Sequence, residues 1–274
     1  MAKELRVLLI GDLVGAPGRA MFQKHVANLK NQFGASVVIV NGENSARGRG
    51  ITSRIVHSLR HSGADVITSG NHIWHDQEIY SYLGQNSDLL RPANFPSATP
   101  GVGVTTFIKD GISIGVINVQ GRVFMREFVD CPFKTVDSLL TYLKSRTNII
   151  FVDFHAETTS EKIALGFHLD GKVTAVVGTH THVQTADERI LSQGTAFVTD
   201  LGMGGALNSM IGMKKESILR GYLTQMPQKF EVATEPPFVL SGVCVSVNVA
   251  TGKAIGIERF RIVDEAITLQ LEKE

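Results

Sequence analysis

Cysteine is scarce in this chain of 274 residues: only Cys131 and Cys244 occur, and neither stands at a metal-ligand spacing. A structural disulfide is therefore not expected, and two lone thiols suit a reducing cytoplasm. Excess charge of either sign is also missing. With 27 basic and 26 acidic side chains the formal net charge is +1, which lacks the electrostatic footprint of a protein that holds long nucleic acids. No apolar run is long enough to cross a bilayer, and Met1-Ala2-Lys3-Glu4-Leu5 enters a strand-like segment without the apolar stretch of a signal peptide. A cytoplasmic protein with no membrane partner is expected. Linkers, internal repeats and low-complexity segments are absent, so residues 1–274 read as a single domain. The loop after the first strand has glycines at 11, 15 and 18. That breaks the G-x-G-x-x-G spacing of dinucleotide sites, and no Gly-Lys-Ser/Thr follows for a P-loop.

What is present is a large apolar fraction, 43% hydrophobic against 19% charged, enough for a sizeable core. The first half alternates: strand Leu5–Ile10, helix near Pro17–Gln32, strand Ser36–Val40, helix near Ser53–His61, strand Asp65–Thr68, helix near Asp76–Leu83. Alternation of this kind predicts a mainly parallel sheet. Gly103–Ile108 and Ile112–Val119 flank Asp110-Gly111, a strong hairpin signal. Helix-like Thr135–Lys144, strand Asn148–Val152, helix near Ser160–Leu169, strand Val173–Val177 and helix-like Lys214–Leu223 follow. Val239–Val249 and Ala254–Ile262, separated by Ala250-Thr251-Gly252-Lys253, predict an antiparallel hairpin. Parallel then mixed strands over this length predict two stacked sheets flanked by helices, an α/β sandwich of four layers, α-β-β-α.

Polar residues collect where the apolar strands stop, the place where open α/β sheets bind ligands. Five such ends carry Asp12, Glu43-Asn44, Asn71-His72, His155 and His180/His182. In His180-Thr181-His182 the imidazoles are two residues apart, which on an extended segment puts both on one side, within reach of a common centre. Taken singly, each residue has a plainer reading. Asp12 suits a turn or a helix cap, Glu43 a solvated loop charge, and Asn41, Asn44 and Asn71 turns with left-handed backbone. Pro17 in the first turn of the next helix places that cap at Ala16 and frees Asp12. Taken together, the set reads as a metal site.

A mixed set of imidazole, carboxylate and amide donors suits Mn or Fe, with Zn or Mg as further options, rather than an all-Cys zinc centre. Two ions about 3.5–4 Å apart need a shared ligand, and the two oxygens of Glu43 can bridge. A bridging hydroxide then serves as nucleophile for in-line attack on phosphorus.

The ordered set Asp12, Gly42-Glu43-Asn44, Gly70-Asn71-His72, His155 and Gly178-Thr179-His180-Thr181-His182 resembles the calcineurin-like metallophosphoesterase superfamily, and more closely its bacterial YmdB-like branch. Asn41–Ala46, Arg91–Pro96 and Thr199–Met203 extend the resemblance to nearly the whole chain. The wider superfamily has Asp-x-His and Gly-Asp where this chain has Asp12-Leu13-Val14 and Gly42-Glu43. The resemblance implies the four-layer sandwich of the metallo-dependent phosphatases. It implies Asp12, Glu43, Asn44 and His182 around one metal, Glu43, Asn71, His155 and His180 around the other, and His72 as the acid that protonates the leaving oxygen. It also implies a homo-oligomer that hydrolyses small cyclic nucleotides, 2',3'-cyclic nucleoside monophosphates foremost. Ile73, His75 and Gly204 depart from the branch at positions bordering the pocket, which bears on substrate preference.

Asp153, on the strand face of His155, and Asp200 are candidate outer partners of the ligands. Arg47 and Arg49 read equally as phosphate-steering groups and as solvated charges. His25, His57, His61, His75 and His168 read as surface residues. Gly202–Gly212 reads as a mobile lid or as a surface loop packed on a neighbouring subunit. Two rival functions fit the same ligands: a non-enzymatic regulator on this metal-bearing fold, and a phosphomonoesterase such as a nucleotidase.

Overall fold

The computed structural model describes residues 3–269; Met1, Ala2 and residues 270–274, part of the single-domain expectation, lie outside the described residues. Strand β1 (Glu4–Ile10) and the short β2 (Asp12–Leu13) lead into α1 (Gly15–Phe33), β3 (Val37–Asn41), α2 (Ser53–Ser62), β4 (Val66–Thr68) and α3 (Ile79–Gln85). The chain continues as β5 (Val104–Lys109), β6 (Ile112–Gln120), α4 (Pro132–Leu143), β7 (Ile150–His155), α5 (Thr159–His168) and β8 (Ala175–Thr179). It closes with β9 (Arg189–Ile190), β10 (Ala196–Val198), β11 (Met203–Ala206), α6 (Lys215–Thr224), β12 (Phe238–Asn248) and β13 (Ala254–Asp264).

One sheet runs in the order β2-β11-β12-β1-β3-β4, with β13 also on β12; the other runs β5-β6-β7-β8-β10-β9. Within them β1, β3 and β4 are parallel, as are β6, β7 and β8. The inner strands are buried on both faces, which is why they read as continuous apolar runs. On β1, Val7 and Leu9 point into a cluster shared with Val116, Phe151 and Val177 of the second sheet. Leu8 and Ile10 point the other way, onto Met21, Phe22 and Leu29 of α1. A third cluster seats Val136, Leu140 and Leu165 of α4 and α5 on Ile117, Val152 and Phe154. Those three clusters make the four layers, α-β-β-α, as expected from the strand pattern.

Both expected hairpins form. Asp110 and Gly111 carry φ of 51° and 77°, the double left-handed turn that matches strand twist, and β12 pairs antiparallel with β13. Three local readings change. Helix α1 begins at Gly15 with Val14, not Ala16, in the capping position, although Pro17 does sit in its first turn. α3 starts at Ile79 because residues 70–78 are tied into successive tight turns, Ile73 N to Gly70 O and His75 N to His72 O. Within Gly202–Gly212, Met203–Ala206 is a buried strand between β2 and β12 rather than part of a lid. Its Gly204 serves close packing: a Cβ there would stand 2.8 Å from Leu13 Cδ2 and 3.0 Å from Leu240 Cδ1.

Candidate metal centre

All eight residues singled out from sequence lie where β1, β3, β4, β7 and β8 end. Asp12, Glu43 and His155 are fully buried, with Asn44 nearly so, while Asn71, His72, His180 and His182 are half-exposed. Glycines leave them room. A Cβ on Gly70 would stand 2.1 Å from His155 Cδ2, and one on Gly178 1.8 Å from Thr199 O.

The groups form two neighbouring sets. In one, His155 Nε2 lies 3.0 Å from Glu43 Oε1, 3.2 Å from Asn71 Oδ1 and 3.0 Å from His180 Nδ1. Glu43, His155 and His180 have ligand atoms all within 4.8 Å of one another, a grouping able to hold a metal ion. In the other, His182 Nε2 lies 3.7 Å from Asp12 Oδ1 and 3.1 Å from Asn44 Nδ2. Glu43 sits between the sets, its Oε1 also 3.4 Å from Asn44 Nδ2.

The two histidines of the Thr181 turn therefore do not share one side of an extended segment. Strand β8 ends at Thr179, and His180 and His182 have left-handed φ of 95° and 63°, so they diverge, one toward each set. Asn44 has its Oδ1 on His72 Nδ1 at 3.0 Å and its Nδ2 on His182. An amide oxygen offered beside His182 requires that carboxamide to turn over, a rotation that exchanges two nearly isosteric atoms.

Each of the three imidazoles is held from outside by its second nitrogen. His155 Nδ1 lies 3.0 Å from Thr179 Oγ1, and that hydroxyl donates to Asp153 Oδ1 at 2.7 Å. His180 Nε2 lies 3.2 Å from Glu157 Oε2, and His182 Nδ1 lies 2.9 Å from Ile211 O. Such outer contacts fix ring orientation and tautomer, and they turn the remaining nitrogen inward. Asp153 acts on His155 through Thr179 and is itself fixed by Thr68 and Asn41. Thr179, Glu157 and Ile211 were not visible as partners in the sequence. A hydroxyl, a loop carboxylate and a backbone carbonyl carry no motif of their own.

Electrostatics sharpen the picture. Burial pushes the Asp12 carboxyl up; His182 and His155 oppose this, while Glu43 and Asp200 reinforce it. Burial acts on Glu43 in the same sense, yet His155 and His72 hold it well below the usual carboxylate range. His155 is disfavoured as a cation by burial, but Glu43, Asp12 and Asp153 push it up to about 9. Partial burial, and then the positive ring of His155, push His180 down to about 3. Burial raises Asp153 to about 6 against the hydrogen bonds from Thr68 and Thr179.

This arrangement fits metal cations. Asp12 Oδ1 is buried without a hydrogen-bond partner, a state that costs about 1–3 kcal/mol when nothing compensates it. Around His155 Nε2 three electron-pair donors converge, and one ring proton can serve only one of them. A divalent ion in each set would satisfy the groups that converge there, and an N/O donor set of this kind is one that Mn, Fe or Zn accepts.

Of the two arginines considered, Arg47 pairs with Asp76 at 2.7 Å, and Arg49 is exposed. Asp200 accepts from the Thr181 hydroxyl and amide, so it bears on the histidine turn rather than on a ring.

Known proteins place the chain. A family model described as YmdB-like protein matches residues 8–260. A 2',3'-cyclic-nucleotide 2'-phosphodiesterase of Bacillus subtilis is 49% identical over 261 residues, covering 95% of this chain and 98% of that one. A crystal structure of a novel phosphatase from Mycoplasma pneumoniae superposes with a TM-score of 0.91 at 36% identity, covering 97% of this chain and 95% of the other. The fold alone is shared with a putative 5'-nucleotidase from Staphylococcus aureus, TM-score 0.65 at 15% identity, covering 98% of this chain and 56% of that one. This chain belongs to the YmdB-like protein family.

Proposed function

We propose that this protein is a metal-dependent phosphodiesterase that opens 2',3'-cyclic nucleoside monophosphates at the 2' ester, leaving the 3'-phosphate. The observation that carries the reading is 49% identity, over 95% of the chain, to a 2',3'-cyclic-nucleotide 2'-phosphodiesterase. It is supported by the convergence of donor atoms around His155 and beside Asp12. In this reading Asp12, Glu43, Asn44 and His182 hold one divalent ion, and Glu43, Asn71, His155 and His180 hold a second, Fe or Mn foremost. When bound, the ions supply charge to the phosphoryl oxygens and activate the attacking water.

The chain's own residues supply the rest. His72 is the acid. Its Nδ1 is engaged by Asn44 at 3.0 Å and by Glu43 at 3.4 Å, and its backbone amide donates to Glu43 Oε2 at 3.0 Å. The ring is thereby anchored to the Glu43 carboxylate, and Nε2 is left to hand a proton to the departing 2' oxygen. General-acid help of this kind is worth about 10²–10⁴ in rate. Residues 1–274 act as one domain in this reading, supported by the apolar cluster common to both sheets. No described helix is long and apolar enough to cross a membrane. A cytoplasmic homo-oligomer belongs to the same proposal: α6 buries none of its residues, and Leu219, Tyr222 and Leu223 are exposed on it, a face that a second copy would cover.

The test is product analysis with 2',3'-cyclic AMP and protein reloaded with Mn or Fe. The expected product is 3'-AMP alone. Inorganic phosphate would indicate a monoesterase, and no turnover by protein with two metals bound would favour a regulatory role.

A further inference from the structure

The turn that carries His180 and His182 is held from behind by a buried ion pair. Lys162 of α5 and Asp200, two residues past β10, are each 1% exposed. The Lys162 ammonium donates to Asp200 Oδ2 at 2.6 Å. That oxygen also accepts from the Thr181 hydroxyl at 2.7 Å and from the Thr181 amide at 3.3 Å. Asp200 Oδ1 accepts from Gly202 N at 2.8 Å, so both carboxylate oxygens are engaged and the group has no freedom to rotate.

A buried ion pair is a poor way to gain stability, because removing two charges from water offsets much of their attraction, and a well-packed apolar pair often does as well. A carboxylate fixed by an ammonium does what an apolar pair does not: it accepts hydrogen bonds in one direction. Here that direction is Thr181, the residue between two histidines whose left-handed backbones persist only where the surroundings enforce them.

Building on the two-metal reading above, we infer that Lys162, Asp200 and Thr181 are positioning residues that divide the two imidazoles between the two halves of the metal centre. By drawing Thr181 inward, Asp200 turns His180 toward His155 and Glu157, and His182 toward Asp12 and Asn44. Released from this clamp, the strand end relaxes toward extended backbone. Residues two apart then share a side, and both rings compete for one ion.

The test compares Thr181→Val, which exchanges the hydroxyl for a methyl, with Thr181→Ser, which keeps it, and adds Lys162→Met. Each full-length protein is loaded with Mn and dialysed, then Mn per chain, melting temperature, and kcat and KM for 2',3'-cyclic AMP are measured. Thr181→Val and Lys162→Met are expected to weaken one of two Mn sites by about 10–100-fold, leaving close to one Mn per chain. The fall should appear in kcat with KM little changed, while Thr181→Ser retains both ions. Two tightly held Mn and full kcat in Thr181→Val would overturn the inference, as would a Thr181→Ser protein as impaired as the valine variant. If Lys162→Met does not fold, the two Thr181 variants decide. The Mn count needs no substrate, so failure of the wild type to hydrolyse 2',3'-cyclic AMP would remove the diesterase reading while leaving this inference tested by the count.

Discussion

Glu43 and His72 touch each other, yet the proposed mechanism gives them separate tasks, and substitution separates them. Glu43→Gln weakens the one group that both halves of the centre share, so it is expected to lose metal first and turnover with it. His72→Ala is expected to keep its metal and to lose about 10²–10⁴ in kcat. Metal analysis beside kinetics checks both, and a fully active, metal-loaded His72→Ala protein would remove that residue from the acid role. The Glu43–His155 pair also sets a pH dependence. His155 is raised to about 9 in the fold, so its contribution to stability is complete below the unfolded value near 6.5 and is lost as pH climbs through about 9. Glu43 is depressed, so its share is present above the ordinary carboxylate value near 4.5 and is lost on acidification. Protein stripped of metal is therefore expected to melt at lower temperature at pH 9 than at pH 6.5. Metal uptake near neutrality should release a proton, because a ligating imidazole must be neutral. Melting curves across pH and calorimetry in two buffers test this; a stripped protein that gains stability from pH 6.5 to 9 would contradict it.

Among the elements, glycines decide how closely the site-bearing strands and turns approach. Gly70→Ala would drive a methyl into the His155 ring, 2.1 Å from Cδ2, and overpacking of that kind costs about 1–3 kcal/mol. Gly84, inside α3, has nothing within 4 Å of the same added atom, so Gly84→Ala is expected to stabilise by up to about 1 kcal/mol through helix propensity. Thermal unfolding of the two variants should move in opposite directions; movement in the same direction would contradict the packing argument. The elements were legible in sequence where a physical period governed them. Strands β3 and β8 and the apolar stretches Val7–Ile10 of β1 and Ile150–Val152 of β7 are buried on both faces, and the β5–β6 turn needs the left-handed backbone that Asp110-Gly111 allows. The pattern was silent on β2, β9 and β11, which span two to four residues and exist through pairing with distant strands. Gly202–Gly212 looked like a hinge because glycine permits motion and close contact alike, and only the packed neighbours Leu13 and Leu240 tell which applies.

At the scale of the whole molecule, two sheets meet along one apolar cluster and place their strand ends on a common rim. That geometry is why residues as distant in sequence as Asp12 and His182 stand 3.7 Å apart. The convergence was legible from polar residues at five strand ends. Its division into two halves came from the family resemblance and not from residue spacing, because it depends on the backbone of His180 and His182 and on Asp200 behind Thr181. In the proposed function these halves hold two ions with Glu43 between them. The most direct test is anomalous diffraction from crystals of Mn-loaded protein. The expected result is two peaks about 3.5–4 Å apart, one beside Asp12 and His182 and one beside His155 and His180, both within bonding distance of Glu43. A single peak, or two peaks that Glu43 does not join, would contradict the account.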